Sequence, residues 1–129
     1  MNITDERPAV GVLSQGQSVY VVTPPNYSRH RGEKSRYCAG TIVKIGRVWI
    51  TVQSGLSEYR LRLDNQTDGS QYSGSSYRFL TEEQRAWELA RNEAEEYLQA
   101  QGIHVAMDSP WRPVSARIRL AEILKMAQA

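Results

Sequence analysis

Apolar and polar residues alternate with a period of two along the first two-thirds of the chain and change to a helical period near Thr81. "SVYVV", Ser18 to Val22, is rich in β-branched and aromatic residues and stops at Thr23-Pro24-Pro25, whose prolines lack the donors to continue a ladder. "RYCAGTIVKIGRVWITV", Arg36 to Val52, holds two further runs. Thr41, Val43 and Ile45 alternate against Ile42 and Lys44, then Val48, Ile50 and Val52 against Trp49 and Thr51, so each run predicts a strand with one buried face. Gly46-Arg47 between them predicts a tight turn, with glycine supplying a positive φ. "EYRLRLD", Glu58 to Asp64, turns Tyr59, Leu61 and Leu63 inward and Arg60 and Arg62 outward as a fourth strand, closed by "DNQTDG" as a turn. "SSYRFL", Ser75 to Leu80, reads as a fifth. Five short strands in so few residues predict a small barrel. Its expected core is Val21, Val43, Ile45, Val48, Ile50, Leu61, Leu63 and Phe79.

"TEEQ" at Thr81 has the form of a capping box, with Thr81 as the cap and Gln84 reaching back to it. Trp87, Ala90, Ala94, Tyr97, Leu98 and Gln101 then recur at helical spacing and give a stripe suited to packing on the barrel, until Gly102 stops the helix. Glutamates fill the rest of that helix, those of the first turn well placed on its dipole. "HVAMDSPWRP" is a linker, after which Ser115 caps a second helix with Ile118, Leu120, Ala121, Ile123, Leu124 and Ala127 on its apolar side. The organisation expected is α+β: a flexible N-terminal arm over 1–15, a five-stranded SH3-like β-barrel over 16–80, a helix packed on the barrel over 81–102, a linker over 103–114 and a C-terminal helix over 115–128.

The formal net charge is only +2, but it is unevenly spread. Residues 1–80 carry ten Lys/Arg against six Asp/Glu, whereas residues 81–129 carry six against eight. Within Asn26–Arg47, Arg29, Arg31, Lys34, Arg36, Lys44 and Arg47 face Glu33 alone, a local field that attracts anions. The single cysteine, Cys38, excludes an internal disulfide and fits a reducing compartment, where a half-buried inert thiol is the simplest reading. The first residues lack a signal-peptide pattern, and no apolar run reaches the ~18 residues of a membrane span, so a cytoplasmic protein is expected, without a membrane partner.

The succession "QSVYVV", a basic loop, "AGTIVKIGRVWITV", "YRLRLD", an aromatic-rich strand and "TEEQRAWELARNEAEEYLQAQGI" resembles the small β-barrel proteins encoded by actinobacterial phages and prophages. The hairpin "GTIVKIGRVWITV" is also similar to those of SH3-like and KOW-type barrels, which bind RNA, DNA or protein segments in other proteins. The resemblance implies a fold and a genomic setting, with the cytoplasm of a bacterial host as the expected location, and it transfers no site residues.

Catalytic chemistry finds little material. His30 and His104 have no second His or Cys at ligand spacing, so no metal is expected. Cys38 has no evident base, and "QYSGSS" lacks the lysine and the following helix of a phosphate loop. Glu88 and Glu95 most simply form a solvated helix face. The expectation is therefore a binding module without enzymatic activity, cofactor or small-molecule substrate. Its expected site is the basic loop and the hairpin: Tyr27, Arg29, Arg31, Lys34, Arg36, Tyr37, Lys44, Arg47 and Trp49. Cations there contact phosphates while the tyrosines and Trp49 offer rings for base stacking, which points to nucleic acid. The alternative is an acidic host-protein surface, bound to inhibit or redirect it, with Trp49, Trp111, Arg112 and the basic loop as anchors. Trp111 also reads as a clamp that seats the second helix.

Overall fold

The structure, a computed structural model, describes residues 4–23, 37–69 and 77–128. It is α+β, a curled antiparallel sheet of five strands followed by two helices. The strands are β1 (Ser18–Val22), β2 (Tyr37–Ile45), β3 (Trp49–Ser54), β4 (Ser57–Arg62) and β5 (Arg78–Leu80), in the order β4-β3-β2-β1-β5. The helices are α1 (Glu82–Ala100) and α2 (Val114–Gln128). The chain divides into two compact units, Val10–Glu82 around the sheet and Met1–Ala9 with Glu83–Ala129 around the helices.

The sheet's core is Val19, Val21, Ile42, Ile50, Val52, Leu61 and Phe79, with Leu63, Tyr59 and Tyr77 packed on its rim. Four of the expected core residues, Val21, Ile50, Leu61 and Phe79, are fully buried, but the face expected for β2 needs correction. Ile42 pairs with Val52, while Lys44, two residues on, pairs with Thr51, so Val43 is the extra residue of a β-bulge. The bulge shifts the phase of the strand. Ile42 enters the core and Thr41 is exposed, where unbroken alternation back from Ile45 would invert the two. Val43 is half-buried, Ile45 sits opposite Ile50 at the rim with 40% of its surface exposed, and Val48 lies in the turn, also exposed. Gly40 is buried on the core side, where a Cβ would come within 2.8 Å of Val52 Cγ1.

The β2–β3 turn spans Gly46–Trp49, closed by Gly46 N–H donating to the Trp49 carbonyl at 2.8 Å. Gly46 does not adopt a positive φ, because Arg47 and Val48 rather than Gly46 occupy the central positions. The left-handed glycine belongs to the next hairpin: Ser54 pairs with Ser57 across Gly55-Leu56, with Gly55 at φ 61°, as a two-residue turn with glycine first requires. The outer strands β4 and β5 are joined through Gln66–Asp68. Arg62 N–H donates to Thr67 C=O, Phe79 N–H to Gln66 C=O and Asp68 N–H to Tyr77 C=O, and Thr67 bridges to Arg78. Gln66 is a buried non-glycine residue at φ 60°, held there in part by its side-chain amide, which donates to the Phe79 carbonyl at 2.9 Å.

The segment read as a flexible arm makes specific contacts within each unit. Val10 and Leu13 pack on the sheet's core, and Gly16 N–H and Gln15 Nε2 donate to the carbonyls of Ile42 and Val43 in β2. In the helical unit, Trp87 Nε1 donates to Thr4 C=O at 2.8 Å, Gln84 Nε2 to Pro8 C=O at 2.9 Å, and Arg7 lies 3.6 Å from the buried carboxylate of Glu88. Asp5 accepts from the backbone N–H and the hydroxyl of Ser115, so the start of α2 is capped by a carboxylate from the other end of the chain.

Thr81 stands directly before α1, as a cap should. At its far end Gly102 (φ 73°) N–H bonds Gln99 C=O and Ile103 N–H bonds Leu98 C=O, the paired closure of a Schellman motif with Leu98 and Ile103 in one cluster. Ala94 and Leu98 meet Ala121 of α2, with Tyr97, Ile118, Leu120 and Leu124 around them, so part of the α1 stripe is occupied by the second helix. Glu88 and Glu95, expected on a solvated face, are ion-paired with Arg7 and Arg117.

Ile42→Ala and Ile50→Ala should each cost about 2–5 kcal/mol in urea unfolding, whereas Ile45→Ala at the rim should cost less than about 1.5 kcal/mol. Equal losses at Ile42 and Ile45 would contradict the bulged register. Asp5→Ala should destabilise by about 0.5–2 kcal/mol, read from the helical circular dichroism signal on unfolding.

Candidate nucleic-acid interface

Residues directly opposite one another in an antiparallel ladder share a face, and side chains alternate along each strand, so the register assembles the outer surface of β2–β4. One row runs Lys44–Thr51–Arg60 and the next joins Trp49 to Arg62. Lys44 and Arg60 are exposed two strands apart, roughly 10 Å at the backbone, and Arg60 and Arg62 lie about 7 Å apart along β4. Arg47, in the turn beside Trp49, adds a fourth cation. Lys44, Arg47 and Arg60 form no ion pair among the described residues.

Trp49 is the centre of this surface. The Arg60 guanidinium stands 4.5 Å and that of Arg62 5.4 Å from its ring centroid, both within cation–π range. Arg62 is also held by Asp64: Nε donates to Oδ1 at 3.0 Å and Nη2 to Oδ2 at 2.8 Å, a bidentate pair that leaves the remaining N–H groups of the guanidinium unused by this carboxylate. The hydrogen bond from Arg62 holds the Asp64 carboxyl below its ordinary range, and that from Asp64 raises Arg62 further. A shallow depression of about 300 Å³ beside the turn is lined by Arg47, Val48, Arg62, Leu63 and Asp64.

The structure brings together three of the expected site residues, Lys44, Arg47 and Trp49. Tyr37 lies at the opposite end of β2, roughly 20 Å away along the strand, half-buried and paired with Val22. Tyr27, Arg29, Arg31, Lys34 and Arg36 lie outside the described residues, as does His30. The segment containing them leaves β1 and enters β2 at that same far end, so the loop and the β2–β3 turn attach at opposite ends of one strand. Arg60 and Arg62 were missing from the expected site. The alternation of "YRLRLD" marks them as outward, but only the β3–β4 register sets them on Trp49.

Cys38 is half-buried in β2 and His104 is exposed. Among the described residues no group of three or more His, Cys, Asp or Glu is placed to hold a metal ion, and no helix is long and apolar enough to cross a membrane. Trp111 is 37% exposed, with its backbone N–H donating to Ser109 Oγ.

A curled sheet with a cationic outer face that bears Trp49, joined to a helical unit, defines a small α+β domain. The chain belongs to the Phage ProQ C-terminal-like domain family, whose model matches residues 1–128, and is thus a phage-type small domain. No curated protein and no solved structure matches it.

Because its folded value is depressed, the Asp64 carboxylate supports this arrangement above the ordinary aspartate range, and the support is lost as pH falls through the lowered value. In a carboxyl NMR titration Asp64 should therefore titrate below an ordinary aspartate, and Arg62→Gln should return it upward. An unchanged midpoint in that variant would show that Arg62 does not hold it.

Proposed function

We propose that the chain is a non-catalytic phage-type accessory module of SH3-like architecture that binds nucleic acid through the outer face of β2–β4. One observation carries this reading: Arg60 and Arg62 stand over Trp49 on the strand face that also bears Lys44, with Arg47 in the adjoining turn, and among the described residues only Arg62 of these four is ion-paired, with Asp64. Fixed cations at strand spacing suit a ligand that repeats its negative charge along a line. Arg29, Arg31, Lys34 and Arg36, with Tyr27, lie outside the described residues, and their charge and ring would give an elongated ligand a second point of attachment.

Fluorescence anisotropy with labelled single-stranded and duplex DNA and RNA, at low and physiological salt, tests the reading. Affinity should fall with a log–log slope of about −0.7 per neutralised phosphate on a single strand and about −0.9 on a duplex. Lys44→Ala, Arg47→Ala and Arg60→Ala should each flatten that slope. The combined change of Arg29, Arg31 and Arg36 to alanine reports separately on the loop. Absence of binding to every probe at low salt would remove nucleic acid as the ligand and turn the same variants to an acidic host-protein surface.

A further inference from the structure

Trp49 can serve a nucleic acid in two ways that differ in what the protein reads. A ring open to solvent stacks on a base, whereas a ring already covered by arginines fixes where those arginines point. Three observations bear on this choice. Trp49 is only half-exposed, with both the Arg60 and Arg62 guanidiniums over its ring. Gly69, at φ 83°, lies against the ring's outer edge, where a Cβ would come 3.6 Å from Trp49 Cη2 and 3.8 Å from Arg62 Cδ. Tyr59, which pairs with the core residue Val52 and so lies on the inner face, and Tyr77 are tilted against one another at 5.0 Å and packed on the core.

From this covered ring we infer that the face takes the sugar-phosphate backbone of a nucleic acid irrespective of its bases, with Trp49 as the positioning residue that holds Arg60 and Arg62 toward the ligand. The inference rests on the nucleic-acid reading above and deepens it. Long arginine side chains lose rotamer freedom when they bind, and a guanidinium already seated on an indole has lost part of it beforehand. Asp64 adds to the same effect at Arg62: its bidentate grip fixes the plane of the guanidinium while leaving donors for a phosphate oxygen. Sequence tolerance follows, because phosphate contacts position a ligand and carry no base information.

The decisive probe for the unmodified protein is a pair of labelled single strands with the same number of phosphates, one with mixed bases and one abasic throughout. Backbone recognition predicts affinities within about threefold of each other, whereas loss of even one stacked base would weaken the abasic strand by about fivefold to more than a hundredfold. Trp49 variants supply a second readout. Trp49→Ala should both weaken binding and flatten the salt slope, because Arg60 and Arg62 lose their seat, while Trp49→Phe, which keeps a ring beneath them, should retain most of both. Strong binding of the mixed strand with weak binding of the abasic one overturns the inference and leaves the nucleic-acid reading standing. So does a Trp49→Ala variant, shown folded by its circular dichroism, that loses affinity at unchanged slope. Failure of both strands to bind at low salt overturns the two together.

Discussion

The curl of the sheet depends on Gln66–Asp68, the three residues that bridge its outer strands. β4 and β5 are both edges, and an unpaired edge exposes a row of donors and acceptors that invites other chains. Here the bonds made by Arg62, Phe79 and Asp68 join them through a residue forced into the left-handed region. That conformation costs a non-glycine residue about 1–2 kcal/mol, which the buried amide of Gln66 helps to offset by bonding Phe79. The β3–β4 ladder sets Arg60 and Arg62 beside Trp49, and the closure ties the end of that ladder, at the Arg62 N–H, to β5. A local backbone constraint in the turn after β4 therefore reaches the cationic face directly.

That face combines exposed and seated charge. Lys44 and Arg47 sit on exposed positions without an ion pair among the described residues, while Arg60 and Arg62 rest on an indole. Asp64 lowers the net charge of the surface by one, yet its bidentate geometry holds one guanidinium in a defined plane. Exposed ion pairs contribute little to folding stability, so the pair is better understood by what it orients than by what it stabilises.

The strands of this domain were legible because apolar alternation reports burial directly, and β1 carries the bounds read from its sequence. The inner face of β2 was not, because a bulge at Val43 changes the phase of alternation without leaving a residue type that marks it. Gly46 reads as the turn glycine in the sequence, whereas the β2–β3 turn centres on Arg47 and Val48 and it is the next hairpin that holds a left-handed glycine, Gly55. The same reasoning explains the partial reading of the site. Lys44, Arg47 and Trp49 lie within one continuous hairpin and were found together, while Arg60 and Arg62 join them only across the β3–β4 ladder. Tyr37 is close to Trp49 in sequence, yet it begins the nine-residue β2 at the end away from the turn that leads to Trp49. The interactions of Asp5 with Ser115 and of Thr4 with Trp87 span more than eighty residues, beyond the reach of any local pattern.

Those long-range contacts give the helical unit an uneven history on the ribosome. Thr4–Ala9 is made before the whole sheet, and its partners on α1 and α2 are made after it. At about 5–20 residues per second, the stretch from Glu83 to Gln128 takes roughly 2–9 s to synthesise, time in which the sheet is free to fold on its own contacts. The carbonyls of Thr4 and Pro8 and the carboxylate of Asp5 remain hydrated through that interval. Vectorial synthesis thus orders the assembly: a segment made before the sheet is seated only after the helices that follow the sheet are made, and the sheet with its cationic face has that interval in which to fold.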